Sequence, residues 1–195
     1  MSTSILIEIL GKIKSSKLIW ITSFTVLTAI AAQFTIPVQP VPFTLQTVFV
    51  ILSGALLGAR NGAISQIFYL ILGIIGLPVF AHIPDGTIGI ARLISPTGGY
   101  LLCFPIAAFV MGSLVTFSNK YFFIVFAMFI ANFLIVLGGA IYLDLFFIHD
   151  FSETMKVGVF IFSIWSLVKI FIASIIFCLV NNHFTEKDYY NFYAD

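Results

Sequence analysis

The chain has 195 residues, of which 61% are hydrophobic and 9% charged, with a formal net charge of +1. So apolar a composition excludes an ordinary soluble globular domain and belongs to the integral membrane class. The nine lysines and arginines are scattered, which excludes the clustered basic face that a nucleic-acid partner requires.

In chain order, residues 1–16 put Ile5, Leu6, Ile9, Leu10 and Ile13 on one side of a helix and Glu8, Lys12 and Lys14 elsewhere. That pattern predicts a short amphipathic helix at the membrane interface. A first span is expected over 18–33, ended by Pro37, Pro40 and Pro42, which remove backbone donors and restrict the residues before them. Spans over 44–58 and 63–76 follow, joined by a turn at Ala59-Arg60-Asn61-Gly62. Both fall short of the ~20 residues a bilayer crossing usually takes, so kinks or broken helices around a cavity are expected. Further spans are read at 99–117, 121–143 and 157–180, with an acidic aqueous loop over 144–156. The reading is one all-α integral membrane domain of six transmembrane helices, without a cleaved leader. Lys12, Lys14, Lys17, Arg60, Lys120 and Lys187 fall on one side of this arrangement, against Arg92 and Lys156 on the other. Cytoplasmic connections are enriched in such residues, so a multi-pass protein of the cell (inner) membrane with both termini cytoplasmic is expected.

Between the third and fourth spans runs Gly76–Tyr100, GLPVFAHIPDGTIGIARLISPTGGY, a glycine- and proline-rich break. Irregular backbone at membrane depth is tolerated only where protein covers it or where it lines a cavity, which makes this stretch a candidate site wall. Enzyme motifs are absent: there is no GxxxxGK[ST] phosphate loop and no HExxH, and His82, His149 and His183 are too dispersed for a metal cluster. Gly112-Ser113-Leu114 lacks the second glycine of a nucleophile elbow and reads as a packing site. Cys103 and Cys178 lie far apart in apolar runs and read as small buried hydrophobes.

Lys169 stands out, because it falls inside the last apolar run, flanked by Trp165, Leu167, Val168, Ile170 and Phe171. A lysine at the centre of a membrane helix costs about 2.5–3.5 kcal/mol on insertion scales, so a partner is expected, either internal or a ligand carboxylate. Arg92 is the one cation of the 76–100 stretch and can hold a carboxylate bidentately, or can simply be solvated. Gln46 and Asn132 carry amides that both donate and accept, for a ligand or for a neighbouring helix. Phe80, Tyr69, Tyr100 and Trp165 are placed where they could wall a pocket. Small residues at four-residue spacing in the first span, Thr25/Ala29 and Thr28/Ala32, permit close helix approach.

Four runs in order, Val41-Pro-Phe-Thr-Leu-Gln-Thr47, Ser53-Gly-Ala-Leu-Leu-Gly58, Tyr69-Leu-Ile-Leu-Gly-Ile-Ile-Gly-Leu-Pro-Val-Phe-Ala81 and Ser95-Pro-Thr-Gly-Gly-Tyr100, give the chain its resemblance to the BioY family. These are membrane-embedded, substrate-binding S components of energy-coupling-factor biotin transporters. The resemblance implies six helices, a biotin pocket opening outward, and assembly with a T component and two ATPases. It further implies ligand contacts from Gln46, from the 80–92 region including Phe80, His82 and Arg92, from Gly98, Gly99 and Tyr100, and from Lys169. Where the family commonly has aspartate three residues before that lysine, this chain has Ser166, and Ser95 replaces a usual glycine. Ser166 shares a face of the helix with Lys169 and leaves it freer to meet a carboxylate. The resemblance also favours the first helix, with Thr25, Thr28, Ala29 and Ala32, as the docking face for the T component. Biotin, with an anionic carboxylate, a ureido group and an apolar ring and chain, suits the residues available, and no cofactor or metal is expected. The alternatives are an S component for another small vitamin, an intramembrane enzyme, and a passive channel, the last disfavoured by the lack of a repeated polar stripe.

Overall fold

The computed structural model describes residues 16–36, 38, 40–82, 86–118 and 120–181, the side chains of 160–164 and 181 excepted. The amphipathic helix expected at the N-terminus lies outside them, apart from Ser16. Helix α1, Lys17–Gln33, buries Ile21, Phe24, Thr25, Thr28, Ala31 and Ala32. That is one stripe at helical spacing, while Val26 and Ile30 on the opposite face stay more than half exposed. After α1, strands β1 (Thr35–Ile36) and β2 (Phe43–Thr44) pair antiparallel, Thr35 against Thr44 and Ile36 against Phe43.

The helical stretch Gln46–Ile74 is two helices folded against each other at Gly58, with α2 over 46–57 and α3 over 59–74. In a straight helix Gln46 and Tyr69 would stand about 35 Å apart. Instead the Gln46 amide donates to the Tyr69 hydroxyl. Gly58 has φ 79° and ψ 175°, a backbone conformation essentially reserved for glycine. The turn expected over Ala59–Gly62 is thus corrected to Gly58 alone. Residues 59–62 have turn composition but keep a helical backbone, and only Gly58 takes the reversing conformation. The reversal is tight because small residues meet there. A Cβ on Gly62 would lie 2.8 Å from the Gly54 Cα, and one on Gly112 would run into the backbone of Gly58 and Ala59.

Helix α4, Gly98–Val115, packs on this hairpin, and α5, Tyr121–Leu143, packs on α4. Beyond α5 the chain makes a wider π turn, Asp144–Ile148, and reverses at His149, whose φ is 54°. The short α6, Phe151–Thr154, is capped by Asp150, which accepts from the Ser152 and Glu153 amides at 2.8 and 3.2 Å. A second π turn, Met155–Phe160, leads into α7, Ile161–Asn181. The stretch expected as an acidic aqueous loop consists mostly of helical turns, in which Asp150 and Asp144 satisfy backbone and side-chain donors locally. Thr154 Oγ1 donates to Asp144 Oδ1 at 2.9 Å, tying its two arms together.

Among the described residues, three stretches have the length and hydropathy to cross a bilayer: Gln46–Ile74, Gly98–Val115 and Tyr121–Ile148. The first is folded back, so its halves run about 18 and 24 Å, short of the ~30 Å hydrocarbon core. Because the long helices alternate in direction, the connections over 34–45, 75–97 and 144–160 meet at one end of the bundle. Gln33 Nε2 donates to the Pro78 carbonyl at 3.3 Å, Tyr142 to that of Leu93 at 3.1 Å, and Tyr100 to that of Gly158 at 3.1 Å. Beneath these three connections the helices leave a cavity.

Candidate ligand-binding site

The cavity begins on α7. Leu167, Val168 and Phe171 are exposed, whereas Ser166, Lys169, Ile170 and Ala173 are buried, so the helix presents serine and lysine inward on one face. Lys169 lies eight residues into α7, about 12 Å along it. It is 6% exposed and lines the cavity. Among the described residues it makes no hydrogen bond and no ion pair.

Opposite walls come from α5, α4 and α2. Asn132 and Ile135 face in from α5, and Tyr100, Leu101 and Phe104 from α4. Asn132 is buried, and its amide makes no hydrogen bond among the described residues. Thr47 on α2 also lines the cavity, and its Oγ1 is buried with no hydrogen-bond partner among the described residues. Such a group costs free energy unless something supplies a partner.

The roof comes from the first two connections, through Val41, Pro42 and Thr44 from one and Ala81, Arg92 and Thr97 from the other. Arg92 closes a 3-10 turn, Gly89–Arg92, and is 1% exposed. Its carbonyl accepts from Ser95 Oγ at 2.7 Å, and Ser95 Oγ lies 3.0 Å from Thr97 Oγ1, so the chain is pinned on both sides of Pro96. A relay joins the connections. Thr44 Oγ1 donates to Gln46 Oε1 at 2.9 Å, Gln46 Nε2 to Tyr69, and Tyr69 to the Val79 carbonyl at 3.1 Å. The cavity is narrow, with about 580 Å³ of space counted out through its mouth.

The structure therefore brings Gln46, Arg92, Tyr100, Ser166 and Lys169 to one cavity. Gln46 holds its place with one end of the amide on Thr44 and the other on Tyr69, and Tyr100 spends its hydroxyl proton on Gly158. Phe80, His82, Gly98 and Gly99 do not line it. Phe80 packs edge-on against Tyr69 with ring centroids 5.4 Å apart, behind the wall, and His82 is exposed. A Cβ on Gly98 would strike the Leu93 carbonyl and one on Gly99 would strike Tyr142, so these glycines serve close packing. Thr25, Thr28 and Ala32 are taken up inside the chain against α3, Thr25 Oγ1 donating to the Ser65 carbonyl at 2.8 Å. Ala29 is half-buried. Thr47 carries no signal in the sequence beyond its place next to Gln46.

Chemically, two buried cations, two amides, several hydroxyls and apolar walls suit an anion joined to a neutral polar ring. The family model described as the BioY family matches residues 4–186. The chain is 37% identical over 153 residues to the biotin transporter BioY of Thermotoga maritima, covering 78% of this chain and 88% of that one. It is 36% identical over 152 residues to the biotin transporter BioY2 of Lactococcus lactis subsp. cremoris, covering 75% and 80%. Its fold is similar to a crystal structure of the S-component for biotin from an ECF-type ABC transporter. That superposition has a TM-score of 0.77 at 23% identity and covers 93% of this chain and 95% of the other. Matched by the family model along nearly its whole length and by relatives along most of theirs, the chain belongs to the BioY family.

Proposed function

We propose that this chain is the biotin-capturing membrane subunit of an uptake transporter, with the ligand carboxylate on Lys169. The observation that carries this reading is Lys169, buried in a cavity wall with no acceptor among the described residues. A carboxylate would neutralise it, and the unengaged Asn132 amide and Thr47 hydroxyl offer a donor and an acceptor for the ureido ring. Two cations at the same cavity disfavour a positively charged vitamin such as thiamine. Equilibrium binding of biotin, riboflavin and thiamine to detergent-purified protein tests the reading. Biotin alone is expected to bind, and binding of either other vitamin in its place would replace the assignment.

Thr47→Val probes the neutral end. The substitution keeps the shape and removes a buried hydroxyl that has no partner among the described residues, so the ligand-free protein should be as stable as the parent or about 1 kcal/mol more stable. Biotin affinity should fall about tenfold, since a hydrogen bond to the ligand is worth roughly 1.4 kcal/mol. Calorimetric titration and thermal unfolding of the same sample separate the two effects, and unchanged affinity would remove Thr47 from the site.

The capture step involves no covalent chemistry, and the chain carries no phosphate loop with which to hydrolyse ATP. Active uptake then requires a T component and two ATPases, which release the ligand inward by changing the orientation or conformation of this subunit. The chain lies in the cell membrane with its termini cytoplasmic and its three clustered connections outside, as the lysine and arginine count favours. Because the small residues of α1 are largely spent on α3, the T component meets α1 along Val26 and Ile30, with Ala29 at the edge.

A further inference from the structure

Beside the cavity runs a second opening, an apolar groove between the β1–β2 connection and α7. Phe34, Ile36, Phe43 and Leu45 form one side and Trp165 the other, the Phe43 and Trp165 rings meeting edge to face at 6.0 Å. Counted out to its mouth, the groove holds about 680 Å³. Lys169 and Thr44 line both spaces, so the Lys169 side chain stands where the groove and the cavity meet. Phe34, Ile36 and Leu45 are 64%, 53% and 37% exposed, which leaves the outer wall open.

We propose that this groove binds an amphiphilic carboxylate, with its hydrocarbon chain along the aromatic and aliphatic walls and its head on Lys169, in competition with the cavity ligand. Charge complementarity selects the class. A neutral chain would gain the walls and leave the ammonium unmatched, and a small anion would gain the ammonium and leave the walls wet. A carboxylate on a medium-length chain satisfies both, and the chain's contribution grows with its buried apolar area. One ammonium neutralises one carboxylate, and a second anion brought to it would stay uncompensated, so occupancy of the groove raises the biotin concentration needed to fill the cavity. The inference rests on the reading of Lys169 as a carboxylate site.

The test uses the full chain in lipid nanodiscs with Trp20→Phe, which leaves Trp165 as the single tryptophan of the two in the sequence. Bromine-bearing decanoate is titrated against Trp165 fluorescence, with the matching bromine-bearing decanol as the uncharged control. The acid is expected to quench at a concentration at least about tenfold below the alcohol. Added biotin should reverse the quenching, Lys169→Met should abolish the preference for the acid, and Ile36→Phe should weaken quenching while leaving biotin affinity unchanged. Equal quenching by acid and alcohol, or an acid preference that survives Lys169→Met, would overturn the proposal. Acid quenching that depends on Lys169 in a protein that fails to bind biotin would keep the groove site and remove the biotin reading. Biotin binding without an acid preference would do the reverse.

Discussion

Replacing Lys169 by methionine is expected to weaken biotin binding about 100-fold without lowering the stability of the ligand-free protein. Both halves follow from the burial of an ammonium that has no acceptor among the described residues. An unmatched buried cation opposes folding, with a cost of about 2.5–3.5 kcal/mol on membrane insertion scales, so the methionine chain should leave the midpoint of unfolding unchanged or raised. Once the ligand carboxylate is in place, the same ammonium becomes half of a desolvated pair. Truncating one partner of such a pair costs roughly 2–5 kcal/mol, and about 3 kcal/mol is 100-fold in affinity. Calorimetric titration gives the affinity, and thermal unfolding with and without biotin gives the stability. If the variant unfolds earlier yet binds as well as the parent, Lys169 is a structural residue.

Gly58→Val should have the largest effect on the fold. The α2–α3 reversal rests on one residue at φ 79° and ψ 175°, in contact with α4 through Gly112. A side chain there costs of order 1–3 kcal/mol in backbone strain, and a β-branched one lies at the upper end. Against a total stability of roughly 5–15 kcal/mol, a loss of about 3 kcal/mol is severe. Thermal unfolding of the purified variant should show a clear drop, with Gly58→Ala less affected, and biotin binding should be lost only where the fold is lost. A midpoint within about 2 °C of the parent would mean that the reversal does not depend on glycine.

The helices and the cation were legible because both leave strong one-dimensional signals. Apolar runs broken by glycine and proline mark the helices, and a lysine inside such a run is conspicuous whatever its neighbours. The reversal was harder to place, because Arg60-Asn61-Gly62 has turn composition although its backbone is helical, and the decisive property belongs to Gly58 alone. Within the 76–100 stretch no periodicity says which side chains turn inward. Arg92 faces the cavity and His82 is exposed, ten residues apart on irregular backbone. Phe80 shows the same limit from another direction, since an aromatic residue near a pocket can be its wall or the support behind it. Thr47 was missed because two consecutive polar residues at a helix start give no sign that both face one cavity, as Gln46 and Thr47 do. The small residues of α1 were legible as a close-packing face, but their spacing does not say whether the neighbour is another chain or α3 of the same one.

On this reading the cavity around Lys169 holds biotin by its carboxylate. Equilibrium titration of the purified wild-type protein with biotin and with biotin methyl ester tests it most directly. The ester keeps the ring and chain and loses the charge. Tight binding of the acid with the ester weaker by about 100-fold is the expected result, the loss of one buried charge pair. Equal binding of acid and ester would contradict the role given to Lys169, and no binding of either would contradict the assignment of the cavity.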